Sequence, residues 1–307
     1  MKTRSNFIYY LGISFVVFFW GLSSIIYSYF YDFYSASVLT SIMTFFSFLF
    51  FVLLALKKFK KLNSKYFKIG LPICALNALA GVLQRIGLQY TTPAHYAFLE
   101  HIACVVVPIT MFIIIRKRPS VAQFIACIAC LAGCFIMSGM WSSMSINFGD
   151  ILCLSAGVLY GICAALIGTY AKDLDITLFM VFHTFCYFAV SFVLAVAMHF
   201  IKIDGAPMEK AVFTFDIWLL LLVIAVGLVD IAICWLLRNL AIQHIDPSTI
   251  SVISPFSAVI TGVISVILGI DALSFGLIGG GTLIMIAALL PVFDEIRAEK
   301  KALKNQN

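Results

Sequence analysis

The chain has 307 residues, of which 63% are hydrophobic and 11% charged, and it carries a formal net charge of +6. A soluble domain holds about a quarter charged residues. A core of this size could not hide so much apolar surface, so water-soluble classes are excluded and a lipid-embedded chain is left.

The order of charges along the chain divides it. No Asp, Glu, Lys or Arg occurs from Ser5 to Tyr31, Phe33 to Leu56, Pro119 to Gly149, Ile151 to Ala171, Ile176 to Ile201, Pro247 to Ile270 or Ala272 to Phe293. Roughly 20 apolar residues cross a bilayer core. Cutting at polar and Pro-containing breaks gives ten spans, about 7–30, 35–56, 69–90, 94–115, 120–140, 149–171, 177–201, 215–242, 247–269 and 273–292. Helices are expected, because each satisfies its own backbone hydrogen bonds in lipid, and the runs are too long and continuous for barrel strands. Span 1 is too long for a signal-peptide core and lacks a clear small-residue cleavage site, so it reads as a retained anchor. The fold class expected is therefore an all-α integral membrane protein of ten transmembrane helices.

Lys and Arg set the orientation. With ten spans both termini share one side. That side holds Lys2 and Arg4, six lysines from Lys57 to Lys68, Arg116 to Arg118, Lys172, and the tail Arg297, Lys300, Lys301 and Lys304. The other side holds only Lys202 and Lys210, sixteen against two. Both termini are expected in the cytoplasm, with the chain multi-pass in the cell inner (plasma) membrane. The net charge is mostly this topology signal, and nucleic acid is not an expected partner. All nine Cys fall inside spans, so disulfides are not expected. Cys127, Cys130 and Cys134 share a helix face and read as small packing residues rather than a metal site.

The two halves echo each other. Gly87-Leu-Gln-Tyr-Thr-Thr-Pro93 compares with Ala241-Ile-Gln-His-Ile-Asp-Pro247, each joining the third span of its half to the fourth. Upstream, Asn77 and Arg85 match Asp230 and Arg238 with the same spacing of eight, and Phe19-Trp20-Gly21 in span 1 resembles Leu159-Tyr160-Gly161 in span 6. Five spans per half is an odd number, so the second half enters the membrane inverted. The expected units are residues 1–140 and 141–307, two inverted five-helix repeats with a substrate site between them near mid-membrane.

At these motifs the sequence resembles the drug/metabolite transporter superfamily in its ten-helix form with two EamA-type domains. The resemblance rests on Phe19-Trp20-Gly21, on Gly87 through Leu99 leading into span 4, and on Gly149-Asp150-Ile-Leu opening span 6. Ala241 through Ser248 followed by Ser254-Pro255 in span 9 completes it. It implies transport without naming the substrate. One departure stands out: Glu100-His101 occupies the first-half positions aligned with Ser254-Pro255, an ionisable pair where the other half has a proline kink.

Ionisable side chains inside a bilayer are functional candidates by default. Glu100 lies roughly 9 Å into span 4 at 1.5 Å per residue, too deep to snorkel, and either binds a substrate amine, carries a proton or forms a salt bridge to Arg85. Tyr96, one turn away, offers such an amine a cation–π wall. His101 reads as a proton relay or a packed imidazole, and His183 as a site residue or a structural one. In span 8, Asp230 is mid-membrane, Trp235 is a cavity or lipid-facing ring, and Arg238 suits a carboxylate or snorkels. Trp20 and Tyr160 are matched aromatic walls. The Gly276, Gly279, Gly280 and Gly281 cluster suits close helix approach rather than phosphate binding.

The chain therefore reads as a secondary transporter moving a small amino-acid or amine-like metabolite by alternating access. An organic-cation or drug efflux transporter is the alternative, and a non-transporting sensor or scaffold a lesser one. No GxxxxGK[ST], HExxH or GxSxG occurs, which argues against ATP-driven transport on this chain and against an enzyme. No cofactor and no metal are expected. The partners expected are the substrate, the bilayer and coupling protons or ions, with the chain a monomer or homodimer.

Overall fold

The computed structural model of the protein describes residues 2–91, 93–139, 146–200, 213–270 and 272–304. The unit boundary expected at 140/141, together with Lys202 and Lys210, lies outside them, as do the side chains of Lys2, Arg4, Arg297, Lys300, Lys301 and Lys304.

The described chain is helical, and its one β-type contact is an isolated bridge between Tyr34 and Phe213. The helices are α1 (Lys2–Phe30), α2 (Ala36–Ala55), α3 (Leu71–Tyr90), α4 (Pro93–Glu100), α5 (Ala103–Ile115), α6 (Val121–Ser138) and α7 (Phe148–Tyr170). They continue as α8 (Ile176–Phe200), α9 (Ile217–Gly227), α10 (Trp235–His244), α11 (Pro247–Ile253), α12 (Phe256–Ile267) and α13 (Phe275–Lys304). Nine helical stretches among the described residues are long and apolar enough to cross a membrane, and Phe275–Pro291 is a shorter apolar stretch. Residues such as Leu53, Ile113 and Val121 point outward, an apolar belt that water would not tolerate but lipid does.

Local chemistry sets the ends. Ser120 and Asn147 open α6 and α7 with reciprocal capping boxes to Gln123 and Asp150. Asp246 caps α11 with Pro247 at its first position. Two spans carry π-helical turns, Tyr66–Gly70 before α3 and Leu228–Cys234 between α9 and α10, a feature frequent at functional sites.

Two spans are broken in mid-course. Pro255, with no N–H to give, separates α11 from α12. The corresponding break between α4 and α5 falls at His101-Ile102 without a proline, where Ile102 N–H and Cys104 N–H bond three residues back, to Leu99 and His101 carbonyls. The expectation that an ionisable pair replaces the kink is corrected: Glu100-His101 sits at a break of its own.

Packing is paired. α6 lies along α13, α2 along α8, α3 and α5 along α7, and α1 along α10 and α12. Glycines permit the closest approaches. A Cβ on Gly133 would meet the Gly280 backbone, and the reverse also holds, which accounts for part of the glycine cluster. Gly21 lies against Ser257 and Ile260 of α12, and its sequence match Gly161 against Ala103 and Val106 of α5.

Candidate functional site

A cavity of about 100 Å³ lies where α1, α3, α4, α7, α10 and the broken α11–α12 span converge. Nine of the ten sequence candidates line it. Tyr96, Glu100 and His101 come from the first broken span, Trp20 and Arg85 from α1 and α3, and Tyr160, Asp230, Trp235 and Arg238 from the later helices. His183 does not line it; it is fully buried, with its ring 4.9 Å from that of Trp235.

The charges sort into a bonded set and a remaining pair. Arg85 Nη2 donates to Asp230 Oδ2 at 2.8 Å, both side chains being buried. The Tyr27 hydroxyl donates to the same carboxylate oxygen, and the Arg85 guanidinium lies 3.7 Å from the Tyr27 ring centre. The salt bridge considered for Arg85 with Glu100 is thus made with Asp230 instead. Glu100 and Arg238 belong to no ion pair among the described residues. Arg238 sits 5.1 Å from the Trp235 ring centre, within cation–π range, and its Nη1 has no hydrogen-bond partner among the described residues.

Aromatic rings wall the space: Trp235 packs against Trp20 at 5.6 Å and Tyr160 at 5.5 Å. Gln84 fixes two hydroxyls, its Nε2 donating to Tyr96 and its Oε1 accepting from Tyr160, each at 2.7 Å. His101 Nε2 lies 3.4 Å from Ser257 Oγ, so a side chain from each broken span meets there. Thr261 Oγ1 donates to the Gly21 carbonyl at 2.8 Å, tying α12 to α1.

Sequence reading missed Tyr27, Gln84 and Tyr187, which also line the cavity. A signal existed for Tyr27, seven residues after Trp20 and so on the same helical face. Gln84 was detectable as a neutral polar residue in an apolar span, beside Arg85. The three cysteines of α6 pack as expected: Cys127 and Cys130 direct their thiols at the carbonyls of Cys104 and Val252.

No curated protein matches the chain. A solved crystal structure superposes with a TM-score of 0.71 at 14% identity, over 94% of this chain and 98% of that one. At that identity the likeness concerns the fold. Residues 7–139, which contain most of α1 and all of α2 to α6, match the EamA-like transporter family, a family of membrane transporters.

Proposed function

We propose that the protein is a secondary transporter of ten spans, built from inverted repeats 1–140 and 141–307, that moves a small amine- or amino-acid-like metabolite by alternating access. Both termini lie in the cytoplasm, and the membrane is the cell inner (plasma) membrane. Packing across the two halves supports the repeat: α3 on α7 has its counterpart in α10 on α1, and α5 on α7 in α12 on α1. The breaks at His101-Ile102 and Ser254-Pro255 fall in the matching fourth and ninth spans.

The observation that carries the substrate class is that Glu100 and Arg238, from opposite halves, face one cavity without an ion pair between them. A carboxylate so placed binds an ammonium group, and an arginine a carboxylate. The rings of Trp20, Tyr160 and Trp235 supply the organic wall. That aromatic wall beside Glu100 also favours organic cations, the second reading.

Liposome flux of radiolabelled amino acids, amines and nucleosides tests both. Glu100→Gln keeps the shape and removes the charge, so flux of the transported amine or amino acid should fall at least tenfold while the protein still purifies as a monodisperse species. Normal flux through Glu100→Gln would make Glu100 structural and remove the basis for an amine site.

A further inference from the structure

Trp235 has a second side. Its ring packs on the cavity residues Trp20 and Tyr160, and also on His183, which does not line the cavity. Around His183 lies a polar group that the site above does not use. Asn239 is fully buried on α10, its Nδ2 directed at Met180 Sδ, 3.4 Å away and one turn before His183 on α8. Asn77 is buried on α3. Cys74, Asn77 and Gly81 share a face of that helix. Cys74 Sγ lies 3.8 Å from the Phe179 carbonyl oxygen, and a Cβ on Gly81 would strike Tyr187. Asn77 therefore faces the stretch of α8 that carries His183.

These groups share an unusual condition. Both side-chain polar atoms of Asn77, both ring nitrogens of His183, Asn239 Oδ1 and Arg238 Nη1 have no hydrogen-bond partner among the described residues. One buried polar atom left so is destabilising; a cluster drawn from three helices is a site that something polar occupies. The repeat supplies the reason that its charge is free. Asp230 neutralises Arg85, whereas the residue matching Asp230 in the first half is Asn77. No carboxylate lies within ion-pair distance of Arg238 among the described residues.

We propose that Asn77, His183 and Asn239, which lie behind Trp235, form with the cavity-lining Arg238 a second binding subsite, which takes the carboxylate end of the transported molecule during turnover. Its chemistry is one fixed cation with neutral donors and acceptors, which selects a carboxylate over an amine. The passage of substrate rests on the transport reading above; the site itself is read by binding.

The probes are propionate and ethylamine, a carboxylate and an amine of similar size, titrated against the full chain in lipid nanodiscs. Propionate affinity should fall at least tenfold in Arg238→Gln, and also in His183→Phe and Asn77→Leu, which fill the site with apolar atoms. Ethylamine affinity should not change in the His183 and Asn77 variants. Should Asn77→Leu fail to fold, Asn77→Ala carries the same expectation. Wild type that ignores propionate, or His183→Phe and Asn77 variants that bind it as wild type does, would overturn the site. If wild type binds propionate with this dependence yet moves no metabolite in liposomes, the transport reading falls and the site stands.

Discussion

Arg85 and Arg238 are matched in sequence and differ in circumstance. Arg85 is held by Asp230 and Tyr27, and Arg238 has an aromatic ring but no ion-pair partner among the described residues. Removing one member of a buried pair leaves the other uncompensated, which costs about 3–5 kcal/mol, whereas replacing both by apolar residues is far milder. Asp230→Asn and Arg85→Gln should each lower the thermal unfolding midpoint sharply in detergent, and Arg85→Met with Asp230→Leu should recover most of the loss. Single variants that melt with the wild type would show that the pair is not a structural bond. The acids and bases of this site were legible in the sequence because charge in an apolar run is conspicuous. Their partners were not. Whether Arg85 meets Glu100 or Asp230 depends on how the halves dock, and spacing along one helix carries no information about that.

Four of the helices were legible almost to the residue. Spans cut from the charge-free runs at polar and Pro-containing breaks place α2, α6, α7 and α8 within one or two residues at their ends, since lipid thickness sets both the span and the helix. The break after α4 was not legible, because no proline marks it. Between α7 and α8, Asp175 does several things at once. Its carboxylate accepts from the N–H groups of Thr177 and Leu178 at the start of α8, and pairs with Lys58 Nζ at 3.0 Å; its own N–H donates to the Tyr66 hydroxyl. Partial burial raises the carboxyl's pKa, but the bond and charge of Lys58 and the two N–H groups outweigh it and hold the carboxyl below its ordinary value. With the folded value depressed, the contribution is full above the unfolded value, near pH 4 for Asp, and is lost as pH falls through the folded one. Asn caps a helix as well as Asp does, so Asp175→Asn removes only the charge. The wild type should melt higher than Asp175→Asn at neutral pH, with the gap closing below about pH 4. A gap independent of pH would place the effect in packing.

At the scale of the molecule, three ion pairs between the halves lie at the lysine-rich loops. Lys58 pairs with Asp175, Lys65 with Asp173 and Lys117 with Asp246, in each case a residue before the proposed 140/141 boundary with one after it. Gln243 Nε2 adds bonds to the carbonyls of Ala171 and Leu174 on the same face, and Gly168 admits Pro247. For a carrier that rocks its halves, opening toward this face must part the three ion pairs. They are not equal. Asp173 is 87% exposed, so water and salt screen its pair, while Asp175 and Asp246 are 21% and 12% exposed. Exposed pairs contribute about 0–1 kcal/mol, and about 1.4 kcal/mol shifts a two-state population tenfold, so no single latch locks the protein and two better-covered ones together bias it. Reversing charge in Lys58→Glu with Lys117→Glu should shift the carrier toward the state open on this face. Pulsed electron resonance between spin labels at Lys61 and Lys172, in a background with the native cysteines replaced, should show a longer distance in that double variant than in the parent. Lys65→Glu alone should leave the distribution nearly unchanged. Equal effects from Lys65→Glu and the double variant would mean that general charge repulsion, not these latches, spreads the loops. No change in either would mean that the halves are held by apolar packing, and rocking would then have to be sought in α1, α10 and the two broken spans.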